Sequence, residues 1–275
     1  MSVHLATPLV KFQTGLATVG LKETLIGLFR YAQIVAKRKP QLFTLSLKSG
    51  ASLRFIHPTQ TPTMLVVFGD YVDPEYEWIK DVIQPGDLVV DVGAGIGQFA
   101  VAAGMLGAGV ICYEPVLANA DVLAFNLNLN NLGSTIVNAV ALSDETGYVS
   151  IEKPPSEFLR SHIGELLHGP KDGLTPCSTL DEEFKHGQRI KLLKINTAGG
   201  EPQVLRGGLK LLAEQRVEHL ILLLSEELVA MLPTLREMGY DFFYYHPKLR
   251  GTQALDPERP FEMVWPARHV LGKLR

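Results

Sequence analysis

The sequence contains few cysteines and no long apolar run. Cys112 and Cys177 are the only two cysteines among 275 residues. One falls in a predicted strand and the other in a predicted loop, without the CxxC spacing of a zinc site or a disulfide framework. No apolar run reaches the ~18 residues of a membrane-spanning helix, and the N-terminus lacks a signal-peptide pattern. We therefore expect a cytoplasmic protein without a metal site.

The chain as a whole also carries no large net charge of either sign. The formal net charge is -3 and the isoelectric point is near 6.2. A protein that binds nucleic acid electrostatically usually has a strongly basic face. The composition therefore predicts no nucleic-acid partner. Because 46% of the residues are apolar, the chain can build a large core.

The first 40 residues differ from this balance, with a local charge of +5 that comes from Lys11, Lys22, Arg30, Lys37, Arg38 and Lys39 against Glu23. Apolar residues recur there at helical spacing, namely Leu21, Leu25, Leu28, Phe29, Ala32, Val35 and Ala36. Pro40 ends the predicted helix. The favoured interpretation is a helix that packs its apolar stripe on the domain. A contact of residues 11–39 with a membrane surface or with a partner stays open.

A predicted β-hairpin over 41–57 completes an N-terminal extension, 1–69, and the domain is expected over 70–275. Strands predicted at 87–92, 108–114, 135–140, 189–196 and 218–225 alternate with helices from Gln98 and over 116–131, 200–215 and 226–239. Aromatic strands follow near 241–246 and 261–266. Strands that are apolar on both faces indicate a doubly wound, Rossmann-like parallel sheet. An insertion at 153–187, with a short helix in "SEFLRSHIGELL", is expected at the ligand edge.

The stretch "VVDVGAGIGQFAVAA", residues 89–103, predicts a strand, a tight loop and the start of a helix. Gly93, Gly95 and Gly97 permit backbone conformations that a Cβ would penalise. The dinucleotide pattern GxGxxG would need glycine at position 98, which is Gln98. Asp91, two residues before the first glycine, suits a positively charged or hydroxyl-rich ligand better than a pyrophosphate.

A second acid, Glu114, stands at the end of the next predicted strand, 23 residues after Asp91. A carboxylate there can accept hydrogen bonds from ribose hydroxyls. Taken singly, Glu114 could be a solvated strand end and the loop a simple turn. A nucleoside site is favoured by the order of these features along the chain: strand, acid, glycine loop, helix, strand and second acid.

The motifs "VVDVGAGIGQFA", "YEP", "NLNLNN", "NAVALSDETG", "STLDEEF" and "LLKINTAGGEPQVLRGG" together resemble the FkbM-type family of class I S-adenosylmethionine-dependent methyltransferases, over roughly residues 70–225. The resemblance implies a seven-stranded sheet, mostly parallel with one antiparallel strand. It also implies S-adenosylmethionine as cofactor. The implied cofactor-binding residues are Asp91, Gly93, Gly95 and Gly97 for its methionine part, Glu114 for its ribose, and Asn138 and Ala139 near adenine. Val92, Ala94 and Pro115 belong to the same cofactor-binding set.

The acceptor side departs from the family pattern. After the lysine and isoleucine the family has an aspartate and, two positions later, a glutamate, whereas this chain has Asn196 and Ala198. The candidate catalytic residues are Lys194, Asn196 and Glu201. Asn196 can orient a substrate but is no base near neutral pH. Three interpretations stay open: Glu201 or another base acts, the substrate needs only positioning, or the protein binds cofactor without activity. Alternatively, Glu201 has a structural role only, as a negative charge in the first turn of a helix that interacts favourably with the helix dipole.

The resemblance implies transfer of a methyl group to an oxygen of a sugar or small metabolite. Acceptors left open are small molecules, glycans and protein side chains, including an asparagine amide. An NAD-dependent oxidoreductase is disfavoured by Gln98. His162, His168 and His186 near the insertion are expected to be surface groups, and Asp181 to cap a helix.

Overall fold

The computed structural model describes residues 3–37, 39–69, 75–152, 162–167, 169, 173–256, 258–261 and 269–275. The N-terminal extension contains α1 (Val3–Val35), β1 (Gln41–Ser46), β2 (Ser52–His57) and α2 (Thr63–Phe68). The predicted hairpin is confirmed, because β1 and β2 pair antiparallel from Gln41 opposite His57 to Ser46 opposite Ser52. Helix α1 is broken at Gly20, where φ is 82° and ψ is 168°.

The domain then alternates strands and helices. Its first half contains α3 (Glu75–Val82), β3 (Leu88–Val92), α4 (Gln98–Met105), β4 (Gly109–Tyr113), α5 (Leu117–Leu129) and β5 (Ile136–Asn138). A small sheet follows, built from β6 (Ala141–Leu142), β7 (Gly147–Glu152), β8 (His162–Leu167) and β9 (Thr175–Ser178). The second half contains α6 (Leu180–Glu183), β10 (Ile190–Ile195), α7 (Glu201–Arg206), α8 (Leu209–Ala213), β11 (Val217–Leu223), α9 (Glu226–Glu237), β12 (Tyr240–His246), β13 (Gly251–Ala254) and β14 (His269–Leu274).

Within the described residues the central sheet has eight strands in the order β13-β12-β14-β11-β10-β3-β4-β5. Strands β5, β4, β3, β10 and β11 are parallel, and β14 enters antiparallel between β11 and β12. The expected doubly wound sheet of class I type is confirmed, and β13 adds an eighth strand at its edge. Side chains from both faces are buried, with Val89 and Leu192 in one apolar cluster and Val90 and Leu193 in the other.

Three local predictions are wrong. The predicted helix in "SEFLRSHIGELL" is β8 over its described part, because His162–Leu167 pairs antiparallel with β7. The predicted helix 200–215 is two helices, α7 and α8, separated at Gly207 and Gly208. Cys177, predicted in a loop, lies in β9. The predicted strand 261–266 falls mostly outside the described residues.

The hairpin is attached to α5 through side-chain amides. The outward N–H groups of Ser52, Arg54 and Ile56 on β2 donate to the amide oxygens of Asn130 (2.8 Å), Asn126 (2.6 Å) and Gln60 (3.2 Å). We call Gln60, Asn126 and Asn130 the amide ladder. An edge strand with unpaired N–H groups would otherwise invite pairing with another chain. The amide ladder closes this edge and joins the extension to the domain.

The orientation of α1 is opposite to the favoured prediction. Thr24 (1% exposed) and Ile34 (6%) point toward the protein, whereas the predicted apolar stripe points outward. In that stripe Leu21 is 66% exposed and Phe29 is 67% exposed. The expectation that this stripe packs on the domain is therefore wrong. No helix in the described part of the chain is long and apolar enough to cross a bilayer.

Candidate functional site

The candidate site is a cleft where β3, β4 and β10 end at their carboxyl edge. Parallel strands of an open sheet bind ligands at this edge. The strands are aligned so that Asp91 on β3 lies beside Lys194 on β10 and Cys112 on β4. The cleft is lined by Val92, Gly93, Gly95, Tyr113, Glu114, Pro115, Val116, Asn119, Val140, Ala141, Leu142, Asn196, Thr197 and Ala198.

The backbone of the glycine loop is already hydrogen-bonded inside the protein. The amides of Gly93 and Ala94 donate to the Tyr113 carbonyl at 2.9 and 3.2 Å. The Gly95 amide donates to Glu114 Oε2 at 2.8 Å, and the Gly97 amide to the Ala94 carbonyl at 3.0 Å. A phosphate cradle instead points free N–H groups at its anion. The amides of Gly93, Ala94, Gly95 and Gly97 are therefore not free to bind a phosphate.

Gly93 allows β10 to approach the loop. Its φ is 74°, and a Cβ at this position would overlap the Asn196 carbonyl oxygen. The Asn196 amide in turn donates to the Val92 carbonyl at 3.0 Å. The glycine is therefore required both by its backbone conformation and by the close contact.

Glu114 is held rigidly beside the loop. Only 5% of the residue is exposed. Oε2 accepts the Gly95 amide, while Oε1 accepts the Val116 amide at 3.1 Å and Asn119 Nδ2 at 3.2 Å. Burial raises the pKa of this carboxyl above its ordinary value, and the three hydrogen bonds partly oppose the rise. A carboxylate has about four acceptor positions. Glu114 therefore keeps about one for a ligand hydroxyl, fewer than the two ribose contacts expected from sequence.

Asp91 and Lys194 form a buried ion pair rather than part of the cleft lining. Lys194 Nζ lies 2.7 Å from Asp91 Oδ1, and the two side chains are 7% and 0% exposed. The ammonium also lies 5.3 Å from the ring centroid of Phe99. Asp91 Oδ2 has no hydrogen-bond partner among the described residues. Because Lys194 compensates the charge of Asp91, the pair fixes β3 against β10 and leaves little net negative charge for a cation.

The part of the cleft where the methyl acceptor is expected, here called the acceptor edge, is the loop that follows β10. Asn196, Thr197 and Ala198 line the cleft, and Ala198 has a left-handed φ of 58°. Glu201, which is 0% exposed, accepts the Thr197 amide at 2.7 Å on Oε1 and the Gly199 amide at 3.1 Å on Oε2. Both of its oxygens therefore hold this loop in shape. Glu201 also lies in the first turn of α7, where the helix dipole stabilises a negative charge.

The structure brings together part of the predicted set. Val92, Gly93, Gly95, Glu114, Pro115 and Asn196 line one cleft. Ala94 and Gly97 shape the loop, and the Asn138 carbonyl accepts the Glu114 amide at 3.0 Å. Asn138 and Ala139 are half-buried next to the cleft residue Val140.

Sequence reasoning missed Tyr113, Val116 and Asn119, which flank Glu114. Tyr113 directly precedes this acid, and Val116 and Asn119 follow it by two and five residues. This proximity was the available signal, because ligand contacts cluster where a strand ends. The side chain of Asn119 is further connected to the extension, since Gln60 Nε2 donates to its Oδ1 at 3.1 Å.

Asp181 caps a helix, as expected, but a different helix from its own. Its carboxylate accepts the amides of Lys210 and Leu211 at the start of α8, at 3.1 and 2.8 Å. The Thr179 hydroxyl caps α6 instead. His186 is exposed as expected, His168 lies outside the described residues, and the side chain of His162 is not described.

Comparison with known proteins gives a family match over residues 91–242, to the Methyltransferase FkbM domain. A curated relative, the tRNA (guanine(37)-N(1))-methyltransferase of Coprinopsis cinerea, is 26% identical over 172 residues, which are 62% of this chain and 34% of the relative. The chain thus spans about a third of that relative's length.

Two solved structures are also similar in part. An rRNA methylase from Streptococcus thermophilus has 14% identity and a TM-score of 0.45, with 73% of this chain and 94% of that chain covered. The 16S rRNA N2 G1207 methyltransferase of T. thermophilus, in complex with AdoMet and guanosine, has 17% identity and a TM-score of 0.44, with 87% and 52% covered.

The prediction that nucleic acid is not a partner of this protein is wrong. The curated relative is a tRNA methyltransferase. A net charge averages over the whole chain, and here it hides the +5 segment within residues 1–40. The acidic balance therefore does not exclude nucleic acid as a substrate class.

Proposed function

The chain belongs to the FkbM methyltransferase domain family, and from this premise we propose that it is an S-adenosylmethionine-dependent methyltransferase that methylates a hydroxyl oxygen of a sugar or small metabolite. The observation that carries the proposal is the uncharged, hydrogen-bonding surface of Asn196 and Thr197 at the end of β10. An amide can accept a hydrogen bond from one hydroxyl and donate to a second oxygen. This pattern suits a polyhydroxylated acceptor.

The cleft residues fit S-adenosylmethionine. Glu114 keeps an acceptor position for a ribose hydroxyl, and the half-buried Val140 lines the same cleft with an apolar side chain that would contact adenine. Gly93 and Gly95 would border the methionine part, with loop amides that are not available to a phosphate. The bound cofactor supplies an electrophilic methyl group on a sulfonium sulfur.

The protein's own contribution at the acceptor edge is alignment. A displacement at carbon requires the acceptor oxygen, the methyl carbon and the sulfur on one line, and holding reactants in line contributes up to about 7 to 11 kcal/mol in favourable cases. We assign this positioning to Asn196. Glu201 shapes the loop that carries Asn196, and the Lys194–Asp91 pair fixes the strand that precedes it.

Glu201 is not assigned the role of general base, because both of its oxygens already accept loop amides. With Asn196 in place of a carboxylate, no side chain at this position would take the hydroxyl proton, and the proton would leave to solvent when the acceptor receives the methyl group that the bound cofactor would supply. The methylation rate should then rise with pH as the acceptor loses its proton more readily.

A base in RNA is the second candidate acceptor. It is supported by the sequence similarity to a tRNA methyltransferase over 62% of this chain. A protein amide acceptor and a cofactor-binding protein without activity are the remaining outcomes.

A labelling experiment distinguishes these acceptors. The protein is incubated with methyl-tritiated cofactor and a cell extract, which is then divided into small molecules, protein and RNA. After unreacted cofactor is removed by chromatography, label is expected in a new small-molecule product that is absent without the protein. Label confined to nuclease-sensitive RNA or to protein would refute the hydroxyl proposal. Calorimetry with S-adenosylhomocysteine is the control: binding without any label would identify an inactive module, and no binding would refute the cofactor site.

A further inference from the structure

The outer face of α1 beyond Gly20 presents large apolar side chains to solvent. Leu21, Leu25 and Phe29 are 66%, 57% and 67% exposed. We define the outer stripe as Leu21, Leu25, Leu28, Phe29, Ala32 and Val35, which recur at three- and four-residue steps. Single exposed apolar residues are common on proteins, but a continuous stripe marks an interaction surface.

The outward orientation of this stripe is fixed by the opposite face of the helix. Gly27 packs so closely on α2 that a Cβ would overlap the Val67 carbonyl oxygen. Thr24 is 1% exposed and donates to the Gly20 carbonyl at 2.8 Å, and Ile34 belongs to the main core. Rotating the helix to bury the outer stripe would remove Gly27 from α2 and Ile34 from the core. Its exposure is therefore built into the fold.

Basic side chains lie on one side of the outer stripe. Lys22, Arg30 and Lys37 are exposed; Lys22 lies next to the stripe, and Arg30 and Lys37 lie farther round the helix, where they line the groove against the hairpin. The single acid of the segment, Glu23, is paired with Lys48 at 3.5 Å, so that its charge is compensated from the hairpin. The surface is thus apolar, with positive charge along one of its sides.

We propose that the outer stripe and its basic border dock this protein on an anionic lipid surface, with the helix lying in the plane of the interface. Leucine and phenylalanine side chains enter the boundary of the acyl chains, while lysine and arginine reach anionic headgroups. Each cation near such a surface adds to the attraction. This docking is independent of which acceptor the enzyme methylates.

The structure favours lipid over two other occupants. RNA would pair with Lys22 and Arg30, but it would leave the aliphatic stripe in water. A second copy of the chain would cover the stripe, yet it would bring two positive borders together. An anionic membrane matches both the apolar stripe and the basic side chains, because its interior is apolar and its headgroups are negatively charged.

Co-flotation of the full-length protein with vesicles tests the proposal. Vesicles of phosphatidylcholine with phosphatidylglycerol should bind it, and vesicles of phosphatidylcholine alone should bind it about tenfold more weakly or worse. The double variant Leu25→Ser with Phe29→Ser should lose binding about tenfold or more. Lys22→Glu with Arg30→Glu should abolish the preference for anionic vesicles. Leu249→Ser is the matched control, because Leu249 is 63% exposed outside the stripe, and it should bind as the original chain does.

Three results would overturn the proposal. Equal binding by the stripe variant and by the original chain would exclude the stripe as the contact. Absence of vesicle binding together with RNA binding that Lys22→Glu and Arg30→Glu abolish would assign the surface to RNA. A dimer in sedimentation velocity that Leu25→Ser and Phe29→Ser dissociate, again without vesicle binding, would assign it to a second copy. Circular dichroism of every variant confirms that the fold is retained.

Discussion

Replacing Asn126 by alanine should destabilise the protein more than any ordinary surface change on α5. The side chain is 0% exposed. It accepts the Arg54 amide at 2.6 Å and donates to the Arg54 carbonyl at 2.9 Å and to the Ile96 carbonyl at 2.8 Å. Asn126→Ala removes all three hydrogen bonds, and so weakens the attachment of the hairpin to α5 and of α5 to the glycine loop.

The expected magnitude follows from these three bonds. At about 1 kcal/mol for each net hydrogen bond, the free energy of unfolding should fall by about 3 kcal/mol, and by more if the Ile96 carbonyl stays buried without a partner. For a chain of this size the midpoint of thermal unfolding should fall by about 6 to 12 °C. Because Ile96 lies in the glycine loop, binding of S-adenosylhomocysteine should weaken as well.

Thermal unfolding followed by circular dichroism, together with calorimetric titration of S-adenosylhomocysteine, measures both effects. Asn128→Ala is the matched control, since Asn128 lies on the same helix, is exposed, and donates to the Ala124 carbonyl of its own helix at 3.0 Å. It should change stability by less than about 0.5 kcal/mol. Equal shifts in the two variants would refute the idea that the amide ladder holds the extension on the domain.

Four further predictions concern the cleft. Gly93→Ala should abolish cofactor binding and lower the thermal midpoint, because its Cβ would overlap the Asn196 carbonyl oxygen. Glu114→Gln should weaken S-adenosylhomocysteine binding at least about tenfold in calorimetry, since an amide donor would face an N–H group and a charged acceptor would be lost. The original chain should show a methylation rate that rises with pH, whereas Asn196→Asp should flatten this profile by supplying a carboxylate base. Ala198→Gly should raise stability by up to about 1 kcal/mol, because φ is 58° at this position.

Matched measurements decide each case. Gly86→Ala is the control for Gly93→Ala, since Gly86 has a φ of 90° but its Cβ would meet no atom within 4 Å. Equal losses would show that backbone strain alone matters. Unchanged affinity in Glu114→Gln would remove this acid from the cofactor site. A flat pH profile in the original chain would refute the assignment of positioning without a base, and a lower thermal midpoint in Ala198→Gly would refute the strain argument.

Glu114 also gives cofactor binding a pH dependence. Burial raises the pKa of its carboxyl above the ordinary 4.5. As the pH falls through that raised value, the protonated group loses acceptor capacity for the Gly95 and Val116 amides. The affinity for S-adenosylhomocysteine should therefore decrease at the acidic side, and the decrease should be absent in Glu114→Gln.

The sequence alone determined the features that depend on neighbours along the chain. Apolar strands alternating with helices gave the doubly wound sheet, because the hydrophobic period of each segment is a local property. The loop glycines and Glu114 could also be found from the sequence, because each directly follows a predicted strand. The structure shows that these two strands, β3 and β4, are adjacent and parallel. The stripe on α1 was likewise recognised as one face of a helix.

Only the tertiary structure decided which partners these residues meet. Periodicity shows that α1 has an apolar face, but the close fit of Gly27 on α2 determines that this face points outward. The pairing of Lys194 with Asp91 joins residues 103 positions apart, and that of Asn126 with Arg54 joins residues 72 apart. Such contacts depend on strand register and helix docking, which minimise the free energy of the whole chain. No local pattern encodes them.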